Sequence, residues 1–171
     1  MISPLLFILY IDELITMYRN SGIPGVFLNE NAHSVHMIMY ADDICAVNDT
    51  IGRIRSQMSV LEEFCDLYGL DVNINKTKLV VFRNGGPLRQ NENVYFNGES
   101  IEVVPCYKYL GLMFSSSLSW SNAISTLRKQ AEKAVIGIKI LGKKCGGLPV
   151  DVAFQLFDSK VLPILCYGSE V

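Results

Sequence analysis

The chain has 171 residues, half of them apolar and 19% charged, with a formal net charge of −2 at pH 7. That fits one compact domain, or one and a half lobes of something larger, and excludes global disorder. Its five cysteines form no C-x-x-C pair, and neither His33 nor His36 has a zinc-like spacing to them. They read as small buried hydrophobes in a reducing compartment, so the expected location is intracellular, nuclear or cytoplasmic, and not secreted.

Charge is unevenly distributed. Residues 1–75 carry three basic and ten acidic side chains, whereas residues 76–171 carry twelve and seven. An acidic front and a basic back suit a metal site followed by a polyanion-binding lobe; ordinary scatter of surface charge is the alternative.

The opening stretch MISPLLFILYIDELITMY lacks a basic leader region and a small-residue cleavage site. Asp12 and Glu13 interrupt its apolar run well short of a membrane span, so it reads as a buried helix. Ser3-Pro4 is a helix start, and Asn20-Ser21-Gly22 a stop. Val35 to Tyr40 and Ile44 to Val47 are apolar runs of strand length. Ala41-Asp42-Asp43 joins them, which predicts a hairpin with the aspartates at or beside its turn.

Asn48-Asp49-Thr50 is a capping cluster. Behind it Ile51, Ile54, Met58, Leu61, Phe64, Cys65 and Tyr68 mark one helical face, and Gly69 suits the C-terminal cap. Val72 and Ile74 alternate with asparagines before the apolar run Leu79 to Phe82, which favours a strand. Asn97-Gly98 between apolar arms is a hairpin signal. Tyr107 to Phe114 is a further strand candidate.

After Ser115–Ser117 the pattern becomes helical. Ile124, Leu127, Ala131, Ala134, Val135, Ile138 and Leu141 form a stripe on a helix that also carries Arg128, Lys129, Lys133 and Lys139. A last helical pattern runs through Val152, Leu156, Phe157 and Val161, and Pro163 kinks or ends it. The order implies an α+β fold with a lobe boundary near residue 115.

Adjacent carboxylates between two apolar runs repel each other unless something neutralises them. Two readings stand: a solvated turn in which Asp-Asp supplies backbone geometry, or a site for a divalent cation. Two such ions about 3.5–4 Å apart can activate an attacking 3′-hydroxyl and stabilise leaving pyrophosphate.

Tyr40-Ala41-Asp42-Asp43 resembles the YADD motif of reverse transcriptases, and its setting resembles the non-LTR (LINE-type) retrotransposon branch. Residues 3–14, Ser-Pro-Leu-Leu-Phe-Ile-Leu-Tyr-Ile-Asp-Glu-Leu, are similar to the end of that family's motif B. Gly69-Leu70-Asp71-Val72-Asn73-Ile74-Asn75-Lys76-Thr77-Lys78 is similar to motif D. Tyr107-Lys108-Tyr109-Leu110-Gly111 is similar to motif E, the primer grip, and Phe114-Ser115-Ser116 continues the pattern. The tail from Leu162 to Glu170 is similar to the segment that follows the thumb. The motifs come in order and cover almost the whole chain.

The resemblance implies a partial polymerase palm at 1–114, its antiparallel sheet and YADD hairpin packed on helices, and a helical thumb-like region at 115–171. It implies Asp42 as a direct ligand of Mg²⁺ (or Mn²⁺) and Asp43 as its less directly engaged neighbour. Tyr40 and Ala41 would border the primer end or incoming nucleotide, and Lys76 could donate a proton to pyrophosphate. Asn73 and Thr77 would order the motif D turn. Tyr109, Leu110 and Gly111 would position the primer backbone. Arg128, Lys129 and Lys133 would face phosphates, or form a solvated helix face. The implied partners are an RNA template, a DNA primer and deoxynucleoside triphosphates, with no membrane.

Gln-Gly upstream of Ser-Pro, the fingers and motif A with its metal-binding aspartate have no counterpart in these 171 residues. Asp12 and Glu13 belong to the helix after motif B, and Asp49 is placed as a cap. The expectation is therefore a piece of an RNA-directed DNA polymerase without activity on its own. A non-catalytic nucleic-acid-binding module and an inert transposon remnant are the alternatives.

Overall fold

The computed structural model describes residues 3–27, 34–83, 86 and 93–170, with side chains in the first helix described from Ile8 onward. His33 lies outside the described residues. The chain is α+β and divides into two compact units, Met1–Leu79 with Pro87–Val103, and Val80–Gly86 with Val104–Val171.

The first unit contains helices α1 (Ser3–Asn20) and α2 (Ile51–Tyr68). Its strands are β1 (Val26–Phe27), β2 (Ser34–Val35), β3 (Met37–Tyr40), β4 (Asp43–Ala46), β5 (Lys78–Leu79), β6 (Val94–Phe96) and β7 (Glu99–Val103). Among the described residues β1–β2 and β3–β4 are separate antiparallel pairs, and β5–β7–β6 forms a three-stranded sheet in which β5 runs parallel to β7. Lys78 crosses that parallel pair to Glu102 at 2.6 Å.

Local chemistry explains the ends of α2. Thr50 is extended and its hydroxyl accepts from the Arg53 amide, satisfying one of the free first-turn donors. Gly69 stops the helix in the left-handed region at φ 64°, where a Cβ would be strained. Along its buried face Met58, Leu61, Phe64 and Cys65 pack with Leu14 and Tyr18 of α1 and with Val94, Phe96 and Ile101 of the β6–β7 hairpin. Burying each large side chain contributes about 1.5–3 kcal/mol relative to exposure.

Among the described side chains of helix α1, Ile11, Leu14 and Tyr18 are buried at three- and four-residue spacing, whereas Ile8 and Leu9 are exposed, so the helix expected to be buried is buried along one face there. Tyr10 donates to the Tyr68 carbonyl, and their rings meet edge-on at 5.1 Å. The Asn97-Gly98 signal holds: both residues have positive φ, 47° and 79°, between paired Phe96 and Glu99. The strand expected from Val72 through Phe82 shrinks to Lys78–Leu79, because Ile74–Lys76 form a turn instead.

The second unit contains strands β8 (Cys106–Tyr109) and β9 (Leu112–Ser115), followed by helices α3 (Ser121–Lys144), α4 (Val150–Lys160) and α5 (Leu162–Leu165). The single strand expected at Tyr107–Phe114 is therefore a hairpin, bent at Leu110-Gly111. The Ser116 amide prolongs the hairpin to the Pro105 carbonyl, and the Arg83 amide donates to Ser116. Phe114 meets Trp120 edge-on at 5.7 Å just before α3 begins. On α3 the buried positions are Ala123 and Ala131. Val161 is buried where α4 stops, and Pro163 stands in the first turn of α5, where its missing N–H costs nothing.

Candidate active site

The β3–β4 hairpin brings Tyr40 and Asp43 opposite each other, leaving Ala41 and Asp42 as a two-residue turn. Ala41 stands at φ 53°, a left-handed conformation that costs a non-glycine residue about 1–2 kcal/mol. Tyr40, Ala41, Asp42 and Asp43 are all exposed, with Tyr40 at 66%. Among the described residues neither aspartate has an ion-pair partner. The turn thus holds two adjacent carboxylates at a strained tip, whereas the inward residues Met37 and Ile44 pack on the core of the unit.

The opposite end of this hairpin is anchored by a residue that sequence reasoning missed. Gln57 is fully buried on α2, and its side-chain amide donates to the carbonyls of His36 (3.1 Å) and Val47 (3.3 Å). These two residues also join through the Val47 amide and His36 carbonyl at 3.0 Å, directly beyond the last strand pair. His36 Nε2 donates to the Ile23 carbonyl at 2.8 Å, and the Asn48 side chain donates to Pro24 at 3.0 Å. Gly25 lies so close to Val35 that an added Cβ would meet its carbonyl oxygen at 2.8 Å. A glutamine inside a helical apolar pattern reads as surface; only the topology, which puts two strand ends against α2, explains it.

Lys76 occupies an exposed turn in the same unit. Its amide donates to the Asn73 carbonyl (3.1 Å) and Asn73 side chain (3.2 Å), while the Thr77 hydroxyl donates to the Asn73 carbonyl at 3.0 Å. Asn73 and Thr77 therefore order this turn locally. A shallow hollow lined by Asp71, Asn73, Asn75 and Glu99 lies beside it.

In the second unit Tyr109 pairs with Leu112, and Leu110 and Gly111 turn the chain at φ 47° and 88°. Helix α3 displays Arg128, Lys129 and Lys133 to solvent. Lys129 and Lys133 lie one turn apart on one face. Arg128 is engaged with Glu132 at 2.8 Å, an exposed pair worth little and readily exchanged for another anion.

Carboxylate oxygens are the donors that Mg²⁺ and Mn²⁺ prefer, and the exposed Asp42–Asp43 pair fits that chemistry. Among the described residues no cluster of three histidine, cysteine, aspartate or glutamate side chains could hold a metal ion. Burial pushes the Tyr18 hydroxyl and the Cys45 and Cys65 thiols up. The cysteines are not uniformly buried, since Cys145 and Cys166 are exposed. Among the described residues no helix is long and apolar enough to cross a membrane.

Comparison with known proteins adds the wider setting. The family described as reverse transcriptase (RNA-dependent DNA polymerase) matches residues 1–114. A transposon-derived protein of Caenorhabditis elegans is 30% identical over 149 residues, 82% of this chain and 50% of that protein. The RNA-directed DNA polymerase from mobile element jockey of Drosophila funebris is 25% identical over 139 residues, 77% of this chain and 15% of that protein. The chain thus spans half or less of these relatives. No solved structure matches it significantly.

Proposed function

Because the chain belongs to the reverse transcriptase family, of the non-LTR retrotransposon kind that its motifs resemble, we propose that it carries the metal-binding turn and primer-contacting parts of an RNA-directed DNA polymerase. The observation that carries this reading is the Ala41-Asp42 turn with two exposed, unpaired carboxylates at its tip. Residues 1–114 form the partial palm in this reading, and 115–171 the thumb-like region.

Asp42, with Asp43 beside it, holds Mg²⁺ or Mn²⁺, which when bound neutralises phosphate charge and favours ionisation of the attacking hydroxyl. Tyr40 and Ala41 border the 3′ end of the primer and the incoming deoxynucleoside triphosphate. Lys76 delivers a proton to the departing pyrophosphate. Tyr109, Leu110 and Gly111 position the primer backbone. Arg128, Lys129 and Lys133 contact phosphates of the primer–template duplex, giving affinity without sequence preference.

Two carboxylates are a short ligand set for two ions, and no third acidic group joins them among the described residues. The 171-residue chain on its own is therefore expected not to extend a primer. Primer extension on an RNA template with Mg²⁺ tests this. Incorporation by the purified chain, abolished by Asp42→Ala, would overturn it.

A second reading, a non-catalytic nucleic-acid-binding module, is favoured by the same lack of a third ligand. Both readings require that the chain retard an RNA–DNA primer–template duplex. The logarithm of affinity should fall with log salt, with a slope of about 0.9 for each phosphate contacted. Metal-dependent binding at the Asp42–Asp43 turn separates them, since only the polymerase reading requires it.

A further inference from the structure

The β8–β9 turn is held by the far end of the chain. Tyr167 Oη donates to the Leu110 carbonyl, and the Tyr167 ring lies over Gly111, where an added Cβ would meet Cε1 at 3.2 Å. The next residue, Gly168, is pressed on Leu112 so closely that its own Cβ would meet Leu112 Cδ1 at 2.6 Å. Leu110, Gly111 and Gly168 all have positive φ. Leu110 is the odd member, because leucine has neither the missing Cβ of glycine nor the short polar side chain that lets asparagine enter that region. The Tyr167 hydroxyl at the Leu110 carbonyl and the ring against Gly111 brace the turn from outside.

We propose that Tyr167, in the tail segment Tyr167-Gly168, is a positioning residue that clasps the Leu110-Gly111 turn in the shape that meets the primer. The inference rests on the reading of that turn as a primer contact, and deepens it: the tail becomes part of the primer-binding apparatus. Tyr167 is 49% exposed, so its hydroxyl bond adds little to overall stability and acts mainly on the local shape of the turn. The glycines serve the same end. Gly111 leaves room for the ring, and Gly168 lets the backbone lie against Leu112.

The test uses the full chain and two labelled RNA–DNA duplexes, one with a recessed primer 3′ end and one blunt, compared by fluorescence anisotropy. Tyr167→Phe keeps the ring and removes only the hydroxyl bond. It should lower the preference for the recessed end about five-fold, the worth of one neutral hydrogen bond. Blunt-duplex affinity and the unfolding midpoint should stay unchanged, and amide hydrogen exchange at Gly111 and Leu112 should quicken. Leu110→Asn puts a residue tolerant of positive φ at the turn and removes the leucine side chain, so it probes the turn's contact directly. A lowered preference in Leu110→Asn with wild-type preference and exchange in Tyr167→Phe would overturn the clasp and leave the primer-contact reading standing. Unchanged preference in both variants, or no binding of either duplex, would overturn the reading and the clasp together.

Discussion

Gln57 donates its side-chain amide to the Val47 carbonyl at 3.3 Å, tying the centre of α2 to the residue that closes the Asp42–Asp43 hairpin. The same amide reaches His36 on the opposite strand end, so one buried side chain bridges both legs of the hairpin. The carboxylate turn is thereby mounted on a helix whose buried face belongs to the core of its unit. The hairpin alone, four residues to a strand, would be marginal in water.

Replacing Gln57 by Leu should therefore destabilise the chain by about 1–3 kcal/mol, because the part-buried His36 and Val47 carbonyls lose their side-chain partner. The loss is moderated at one point: Gln57 Oε1 is buried with no hydrogen-bond partner of its own, and leucine removes that burden. Gln57→Glu should cost more, since it puts a charge where nothing neutralises it. Urea unfolding followed by circular dichroism measures both. Wild-type stability in Gln57→Glu would contradict the burial of this side chain.

Ala41 provides a second test, with the opposite sign. At φ 53° it carries a strain that glycine does not, so Ala41→Gly should stabilise the chain or leave it unchanged, by at most about 1 kcal/mol. Ala41→Val should destabilise it by more than that, because a branched Cβ fits the left-handed region worst. The difference in urea midpoint between the two variants reads the turn conformation directly. Equal midpoints would exclude it.

Tyr18 sets an alkaline limit. Burial, and then the nearby Cys65 thiol, raise its pKa above the ordinary 10.0, so the folded chain keeps this proton after the unfolded chain has lost it. Its stabilising effect is complete below pH 10 and drains as pH rises from there towards the folded-state value. Cys45 and Cys65, raised by burial from 9.0, act with the same sign and start one unit lower. Stability should fall above about pH 9–10, with phenolate absorbance of Tyr18 appearing only on unfolding. Tyr18→Phe should remove its share of the slope and cost about 1 kcal/mol at neutral pH, through the lost bond to the Gln57 carbonyl.

Thiol reactivity should separate the cysteines by position. Cys145 and Cys166 are exposed and should react first with an aromatic disulfide reagent. Cys65, at 4% exposure and with its thiol held protonated by burial and by Asp66 and Asp71, should react at the rate of unfolding. Mass spectrometry of peptides over a time course gives the order.

The parts of the fold that were legible in the sequence are those whose conformation is set by neighbouring residues. Thr50 caps, Gly69 stops and Asn97-Gly98 turns through their own side chains or lack of one. The apolar face of α2 announces itself by spacing. The Leu110-Gly111 turn was not legible, because the residue that contacts it, Tyr167, is 57 residues away from Leu110. Gln57 was hidden for a related reason: a polar residue on a helix gains a buried role only once β3 and β4 fold against it. Val80 to Phe82 look like a strand by composition, yet β5 ends at Leu79. Of the candidate site, a hairpin with Asp42 and Asp43 at or beside its turn could be read from the apolar runs on either side. The ordering of the Lys76 turn by Asn73 and Thr77 was legible too, from the resemblance of residues 69–78 to motif D.

The most direct test of the central claim, that the Ala41-Asp42 turn presents its carboxylates to a divalent cation, is paramagnetic broadening by Mn²⁺ of backbone amide signals in the full chain, with an RNA–DNA primer–template present. Signals of Ala41, Asp42, Asp43 and Ile44 should broaden at the lowest Mn²⁺ concentrations, and Asp42→Asn should abolish the effect while leaving the Gly69 and Gly98 signals in place. Broadening that falls elsewhere, or that persists unchanged in Asp42→Asn, would contradict the claim.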